Sequence, residues 1–425
     1  MASRMSSKQQ RTDYFNMTKN SNWIAAGVLA SAIAASAAVL VGCGGSDGNA
    51  HAGVLPVVPE GPSGSAFWDV YRQPDAQAKV GSIYWAQERS DAPAGSRAWN
   101  IVYVSEIVNG VKKYVSGEIY VPTAAAQGPR DVVLWNHETT GVADICAPSR
   151  RSLVVDGVSR VPGIKDLLAK GYVVAMSDYP GQGLPGPAWY MSGQPNARAS
   201  LDVLRAVQNF PEAKASQRFV MYGWSQGGQT TMWTDAIAAS YAPEFTGLGA
   251  GLIAPAVRIR ELTLNSMTRT ELAGYVISTL PGIKAAHPEL KYGDFLTTEG
   301  LEQFPAMADG CFDIWETAST VTKPYQPQAL TPGSSWWNAM TSVDNFTPRG
   351  KTPFVIYQGT EDVPVPASLT AKERQGLCAA GSKVDYKEFA GLDHETVVPE
   401  AAKQFPSWAQ ERFVGQAAAS NCPAS

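Results

Sequence analysis

Short apolar runs recur along the chain and alternate with longer amphipathic stretches. The uninterrupted runs are typical of strands that are buried on both faces of a parallel sheet; they cover residues 132–135, 172–176, 219–222 and 353–357. Two earlier runs flank Asn109-Gly110, a dipeptide that predicts a β-hairpin. Apolar residues at helical spacing follow between the runs, for example over 197–210. The pattern predicts an α/β fold with a mostly parallel sheet flanked by helices.

The alternation of strand-like and helix-like segments is interrupted over residues 256–350. This stretch is longer than an ordinary crossover connection and contains helix-like pieces at 261–280 and 298–307. We interpret it as a cap or lid inserted over the carboxyl edge of the sheet. A single catalytic domain is then expected from residues 67–255 and 351–425.

The amino-terminal region resembles an export signal. A long uncharged segment ends in Leu40-Val41-Gly42-Cys43, which is similar to a bacterial lipobox. This predicts a lipoprotein signal peptide over residues 1–42, a lipid on Cys43 and a Gly/Ser/Pro-rich tether over 43–66. An uncleaved membrane anchor is the alternative, and translation that starts at Met17 rather than Met1 is also open. The prediction is an exported bacterial lipoprotein, anchored by Cys43 to a membrane of the cell envelope.

Composition excludes several classes of protein. Hydrophobic residues make up 44% of the chain and charged residues 17%, as in ordinary globular proteins. The net charge of −4, without a Lys/Arg-rich run, gives no basic surface for nucleic acid. A G-x-G-x-x-G match begins at Gly181, but Pro185 and Pro187 oppose the helix that a dinucleotide site requires. Without an H-E-x-x-H zinc motif or a phosphate loop, we expect no metal and no cofactor.

Four cysteines remain if Cys43 carries a lipid, namely Cys146, Cys311, Cys378 and Cys422. An even number in an exported protein indicates two disulfides, and three connectivities are open. Four buried free thiols are the alternative.

Ser225 is the candidate nucleophile. It lies in Gly223-Trp224-Ser225-Gln226-Gly227, after a strand-like run and before a helix-like segment that begins near Gln229. A strand, a sharp turn and a helix form the nucleophile elbow, which exposes the serine hydroxyl above the sheet. Glycines on both sides allow backbones to approach where a Cβ atom would collide.

A serine hydroxyl needs a base, and histidine has a suitable pKa. The chain has four histidines: His51 in the predicted tether, His287 in the predicted cap, His137 well before the serine, and His394. Only His394 follows the last predicted strand, at 384–389. Elimination therefore favours His394 as the base.

The imidazole needs a carboxylate that fixes its tautomer and stabilises its cation. Asp362 follows the strand-like run at 353–357 and is our first choice, with Glu361 second. Asp393 is adjacent to His394, and neighbouring side chains usually diverge. The order Ser225, Asp362, His394 is the chain order of α/β-hydrolases.

Acyl transfer also requires donors for the oxyanion of the tetrahedral intermediate. One donor is expected to be the backbone amide of Gln226, the residue after the nucleophile. The second is expected from the loop at 136–141, where we choose the amide of Thr139, helped by its hydroxyl. An ordinary surface turn is the alternative for this loop.

Together these motifs resemble the secretory lipase family of α/β-hydrolases. The likeness is carried by Gly223 to Gly228, His137 to Ser149, Asp178 to Gly183 and Gly359 to Asp362. It implies the α/β-hydrolase fold, ester hydrolysis without a cofactor, and a helical lid between the sixth and seventh strands. It also implies two disulfides, Cys146–Cys311 and Cys378–Cys422. One departure is Glu138, which stands where the family has glycine, so its carboxylate must face away from the oxyanion or the hole is built differently.

The predicted function is a serine ester hydrolase, either a lipase or a carboxylesterase, whose partner is an ester or lipid substrate. The same triad also serves polyesterases, thioesterases and peptidases. A different class, a catalytically silent surface-binding protein on this fold, also remains open.

Overall fold

The computed structural model describes residues 57–155, 157–311, 321–344 and 351–423. The predicted signal peptide, Cys43 and His51 lie outside these residues, as does most of the predicted tether. None of the helices within the described ranges has the length and apolar character required to cross a membrane.

Nine strands of the described chain form one sheet. Its strands are β1 Ile83–Arg89, β2 Ser96–Val108, β3 Val111–Pro122, β4 Arg130–Asn136, β7 Val173–Ser177, β8 Ala215–Trp224, β9 Thr246–Ile253, β10 Phe354–Gly359 and β11 Val384–Phe389, and a separate small hairpin pairs β5 Val154–Val155 with β6 Val158–Ser159. The order across the sheet is β1-β2-β3-β7-β4-β8-β9-β10-β11. From β7 to β11 in this order the neighbours run parallel, whereas β1, β2 and β3 pair antiparallel. The predicted α/β fold with a mostly parallel sheet is confirmed.

The predicted hairpin joins β2 to β3 through Asn109-Gly110, and Gly110 has a φ of +75°, which favours glycine. Strand β1 was not predicted, because its partly exposed residues include Gln, Glu and Arg rather than an apolar run. This extra strand shifts the count along the chain. Counted over all nine strands, the helical insertion lies between the seventh and eighth; without β1 it lies between the sixth and seventh, as the family resemblance implies.

Helices cover both faces of the sheet. They are α1 Ile164–Ala169, α2 Gly193–Gln208, α3 Gln226–Tyr241, α4 Ile259–Ser266, α5 Ala273–Ala286, α6 Thr298–Ala308, α7 Ser335–Asp344, α8 Ala367–Ala379 and α9 Val398–Phe413. Leu201 and Leu204 of α2 pack with Met232 of α3 in the core on one face. Leu167 of α1 and Phe405 of α9 belong to the core on the other face. The sheet is therefore buried on both sides, as its apolar runs predict.

Strand β9 was also missing from the predicted strands, and its glycines explain why. A Cβ atom on Gly249 would lie 2.7 Å from the Trp408 ring, and one on Gly251 would lie 2.5 Å from the Phe405 ring. Helix α9 thus packs so closely on β9 that side chains are excluded there. A strand without side chains at these positions gives no apolar run in the sequence.

Helices α4 to α7 occupy the chain between β9 and β10, and we call residues 256–344 the inserted segment. The segment has its own core, which includes Leu280, Phe295 and Trp336. The predicted helix at 261–280 is in fact two, α4 and α5, because a short 3-10 helix at Thr270–Leu272 separates them. The predicted helix at 298–307 corresponds closely to α6.

A small apolar cluster joins the inserted segment to the sheet. Ile259 and Val343 of the segment pack with Val142, Tyr190 and Val365. The last three residues belong to loops that follow β4, β7 and β10. Since the carboxyl ends of parallel strands share one edge, the segment packs against the carboxyl edge of the sheet.

Candidate active site

Ser225 occupies the sharp turn between β8 and α3. Its backbone has φ of +54° and ψ of −115°, a conformation that is costly for a residue with a side chain. The turn is held because the Ser225 amide donates to the carbonyl of Ile253 at 2.9 Å, and its carbonyl accepts from the amides of Gly228 and Ala256 at 2.9 Å each. The strained serine is over-determined by its neighbours, as the nucleophile elbow requires. Helix α3 begins at Gln226, three residues earlier than the sequence indicated.

The glycines around Ser225 are required by close backbone approach. A Cβ atom on Gly223 would lie 2.2 Å from the carbonyl oxygen of Gly227, and one on Gly227 would lie 1.9 Å from that of Asn136. Both contacts are with backbone, which cannot move aside cheaply. The elbow is therefore packed directly against the end of β4, where the predicted oxyanion loop begins.

Asp362 and His394 are in contact. The His394 Nδ1 atom lies 2.8 Å from Asp362 Oδ2, and both residues are buried, with 7% and 6% of their surface exposed. Asp362 follows β10 and His394 follows β11, so the two parallel strands deliver both side chains to the carboxyl edge. The Asp362 Oδ1 atom accepts the amide of Val365 at 2.7 Å, which fixes the carboxylate.

Trp224, the neighbour of the serine, packs against the His394 ring, with 5.6 Å between the ring centroids. No hydrogen bond joins Ser225 Oγ to His394 in the described part of the chain. The structure thus brings Asp362 and His394 into direct contact and Ser225 into their neighbourhood. Hydrogen bonds between a catalytic hydroxyl and its base are often long or absent without substrate and form only when substrate binds. Burial lowers the pKa of His394, but the charge and hydrogen bond of Asp362 outweigh burial, and the net pKa is raised.

The two other described histidines lie in different surroundings. His137 is buried and stacks on Tyr179, with ring centroids 4.2 Å apart. Burial lowers the pKa of His137 to about 4, so its ring is neutral at pH 7. His287 lies in the inserted segment, where its Nε2 atom is 2.9 Å from Ser342 Oγ. Of the described histidines, only His394 contacts a carboxylate on the loops that follow β10 and β11.

Two side chains at the end of β4 and in the loop after it, those of Asn136 and Thr139, are buried and hydrogen-bonded. The buried Asn136 side chain donates to Thr231 Oγ1 at 2.9 Å and accepts from Ser200 Oγ at 2.7 Å. Thr139 is 8% exposed, and its hydroxyl lies 2.8 Å from that of Tyr190. Among the described residues, neither the Thr139 amide nor the Gln226 amide donates a hydrogen bond to another group. Two unpaired backbone donors in a buried site are suited to an anionic oxygen.

Glu138 lies beside these donors. Its Oε2 atom is buried and has no hydrogen-bond partner in the described part of the structure. Burial raises the pKa of the Glu138 carboxyl, although its own amide and the charge of Arg160 act in the opposite direction. A raised pKa favours the neutral acid. This side chain therefore opposes a developing oxyanion less than a carboxyl with the ordinary pKa of glutamate would.

The described residues contain two disulfides. Cys146–Cys311 connects the loop after β4 to the end of α6, and Cys378–Cys422 connects α8 to the carboxyl-terminal segment. These are the pairs that the family resemblance implies. Gly141 packs against the first disulfide, where a Cβ atom would lie 2.5 Å from the Cα atom of Cys311. The chain that follows β4 is therefore tied covalently to the inserted segment at Cys146, and the predicted oxyanion loop packs against this link through Gly141.

The described residues contain no group of three or more metal-ligating side chains that could bind a metal ion. Gln358, which contacts Asp362, was missed by sequence reasoning. A lone glutamine within a strand carries no motif or periodic signal, so only the structure reveals it.

A parallel sheet with a nucleophile elbow after one strand and an acid–histidine pair after two later strands defines the α/β-hydrolases. The model of the secretory lipase family matches residues 160–323 of this chain. Over this stretch the chain is thus similar to the secretory lipases.

Curated relatives support this relationship over most of the chain. A secreted triacylglycerol lipase of Malassezia globosa is 26% identical over 347 residues, which are 76% of this chain and 75% of the relative. Lipase 4 of Candida albicans is 25% identical over 410 residues, 86% of this chain and 84% of the relative. Lipase A of Moesziomyces aphidis is 27% identical over 181 residues, and the match spans only 38% of that relative's length.

Solved structures share the fold. The X-ray structure of Candida antarctica lipase A has a TM-score of 0.69 and 19% identity, with 83% of this chain and 86% of that chain covered. The rice cell wall degrading esterase of Xanthomonas oryzae has a TM-score of 0.65 and 17% identity, with 79% and 98% covered. Both likenesses support the α/β-hydrolase fold.

Proposed function

We propose that the chain hydrolyses carboxylic esters of lipids with Ser225 as nucleophile, His394 as general base and Asp362 as the residue that orients His394. The contact of 2.8 Å between His394 Nδ1 and Asp362 Oδ2, beside the strained serine, carries this proposal. Asp362 holds the Nδ1 proton, so the lone pair of Nε2 is free to take a proton from the serine hydroxyl.

In the first half of the reaction, Ser225 Oγ attacks the ester carbonyl carbon while His394 takes the serine proton. The amides of Gln226 and Thr139 donate to the oxyanion, and the Thr139 hydroxyl adds a third donor. The tetrahedral intermediate then breaks its bond to the alcohol, and His394 protonates the departing alkoxide. An acyl group remains on Ser225.

In the second half, a water molecule replaces the alcohol. His394 takes a proton from this water as it attacks the acyl carbonyl, and the same oxyanion donors act again. Collapse of the second intermediate releases the carboxylic acid, and His394 returns its proton to Ser225. Every proton and oxygen atom in this sequence of steps comes from the ester, the water molecule, Ser225 or His394.

We also propose the domain division of the sequence analysis, with residues 67–255 and 351–425 as the catalytic domain and 256–350 as a cap over the acyl group. The apolar cluster between the inserted segment and the loops after β4, β7 and β10 supports this arrangement. A covered acyl site buries methylene groups, and each buried methylene is worth about 0.8 kcal/mol, or roughly a fourfold gain in kcat/KM.

An ester panel tests the proposed function. With p-nitrophenyl esters from acetate to palmitate and an emulsified triglyceride, we expect kcat/KM to rise with chain length until the acyl site is filled. Equal kcat/KM values along the panel would remove the cap from the proposal. A folded protein that neither hydrolyses any ester nor forms an adduct with a fluorophosphonate probe would favour the silent binding protein instead.

We propose in addition that Cys43 carries lipid and anchors the enzyme to a membrane of the cell envelope. The supporting observation is the sequence Leu40-Val41-Gly42-Cys43 after an uncharged segment. In a bacterial host, mass spectrometry of the membrane fraction should find a mature amino terminus at Cys43 with added acyl mass. Cys43→Ser should abolish the acyl mass, whereas a retained residue 1–42 segment without acylation would support an uncleaved anchor.

A further inference from the structure

Gln358 lies near the end of β10 and is completely buried. Its Nε2 atom is 3.1 Å from Asp362 Oδ2, the same oxygen atom that His394 Nδ1 contacts. Nε2 also lies 3.1 Å from the carbonyl oxygen of Gly359 and 3.2 Å from that of Val365. A buried side-chain amide therefore faces the acid of the proposed triad.

The hydrogen-bond network fixes which way this amide points. Gln358 Oε1 accepts the hydroxyl of Thr370 at 2.8 Å. If the amide were turned over, its oxygen would face the Asp362 carboxylate and two carbonyl oxygens, all of which are acceptors. The observed orientation is thus the only one in which Nε2 donates to Asp362.

Gln358 is the one side chain besides His394 that hydrogen-bonds to Asp362 within the described residues. The remaining partner is the backbone amide of Val365, which donates to Oδ1. In a site from which water is excluded, these donors replace the hydration of the carboxylate. The Gln358 donor also competes with His394 for the electrons of Oδ2, because both N–H groups converge on that atom.

We infer that Gln358 is a positioning residue of the triad, which aims the Asp362 carboxylate at His394 and sets how much negative charge Oδ2 presents to the imidazole. This inference rests on the proposed function. Gln358 touches neither the substrate nor Ser225 and acts through Asp362. It also bridges Gly359 and Val365, so a purely structural role in the turn after β10 has to be distinguished from the proposed one.

The wild-type pH profile provides the reference for the test. The ester reaction needs neutral His394, so kcat/KM falls as the pH drops through the pKa of His394 in the free enzyme. Because the pKa of His394 is raised, the acid limb of the wild type should lie above the ordinary histidine value of about 6.5.

Gln358→Met removes the amide donor and keeps a flexible side chain of similar length. Without the competing donor, Oδ2 stabilises the imidazolium more strongly, so the acid limb should move upward by about 0.5–1 pH unit. Within the described residues, only His394 and the Val365 amide then still hold the Asp362 carboxylate in place. We therefore expect kcat at the optimum to fall about 10-fold to 100-fold with KM unchanged. The measurement is kcat/KM for p-nitrophenyl butyrate from pH 5 to pH 9.

Gln358→Glu provides a second variant of nearly the same shape. Its carboxyl can donate to Asp362 only when protonated, and two carboxylates at this distance share one proton. Its activity relative to the wild type should therefore decline as the pH rises, a pattern opposite to that of Gln358→Met. This variant keeps the inference testable if Gln358→Met does not fold.

Thr370→Val is the matched control. It removes the other hydrogen bond of the Gln358 amide and leaves the contact with Asp362, so its acid limb should coincide with that of the wild type. The inference is overturned if the Gln358 variants lose activity or thermal stability while their acid limbs also coincide with the wild type. Failure of the triad itself would be recognised separately, because Asp362→Asn would then remain active.

Discussion

Replacement of Ser225 by alanine should lower kcat for ester hydrolysis by about 10⁶-fold, the scale on which a triad nucleophile contributes. In the proposed mechanism the Ser225 hydroxyl forms the acyl-enzyme, and the strained turn between β8 and α3 holds this residue in place. What remains should be the small acceleration that binding and the two amide donors give to direct attack by water. The measurement is single-turnover hydrolysis of a p-nitrophenyl ester.

Two comparisons separate chemistry from folding in this experiment. Ser192 is also a buried serine, and its Oγ atom has no hydrogen-bond partner among the described residues, so Ser192→Ala should retain kcat within about twofold. His394→Ala should be as damaging as Ser225→Ala, and the double variant should be no worse than either single one, because the two side chains act as a unit. Near-normal kcat in Ser225→Ala would remove the serine mechanism.

The sequence predicts best those elements whose local pattern matches their tertiary surroundings. Strand β8 and the elbow were predictable because an apolar run, two glycines and a serine stand together in one short stretch of the sequence, even though Gly227 is required by its approach to the distant Asn136. Strand β9 was not predictable, because the space for its side chains is taken by Phe405 and Trp408, which are more than 150 residues away along the chain. Its identity as a strand depends on packing that no local window contains.

The site shows the same distinction. His394 could be found by elimination among four histidines, and Asp362 by its position after a strand. The state of Glu138 could not be predicted, since its raised pKa results from burial by the folded loop rather than from its neighbours in sequence. The role proposed for Gln358 likewise depends on the orientation of its side chain, because Nε2 can act on the triad only when it faces the Asp362 carboxylate. The sequence does not give this orientation.

Asp362→Asn should lower kcat by about 10⁴-fold while leaving the fold intact. In the wild type, Oδ1 accepts the Val365 amide and Oδ2 accepts both Gln358 Nε2 and His394 Nδ1. In the variant, the side-chain oxygen of the new asparagine keeps the hydrogen bond from the Val365 backbone N–H. Its NH₂ group then takes the place of Oδ2 and faces Gln358 Nε2 and His394 Nδ1. The imidazole then responds by moving its proton from Nδ1 to Nε2, and the nitrogen that should take the serine proton is already protonated.

The adjacent acid provides the control for this prediction. Glu361 precedes Asp362 on the same loop but is exposed, so Glu361→Gln should keep kcat within about twofold. Both variants should be compared by kcat over pH 6 to 9 and by thermal unfolding, because a matching Tm excludes loss of the fold as the cause. The opposite ranking, with Glu361→Gln inactive and Asp362→Asn active, would transfer the orienting role to Glu361. Because Asp362 receives three donors, one of them from His394, whereas Glu361 is exposed, we expect the loss to be confined to Asp362.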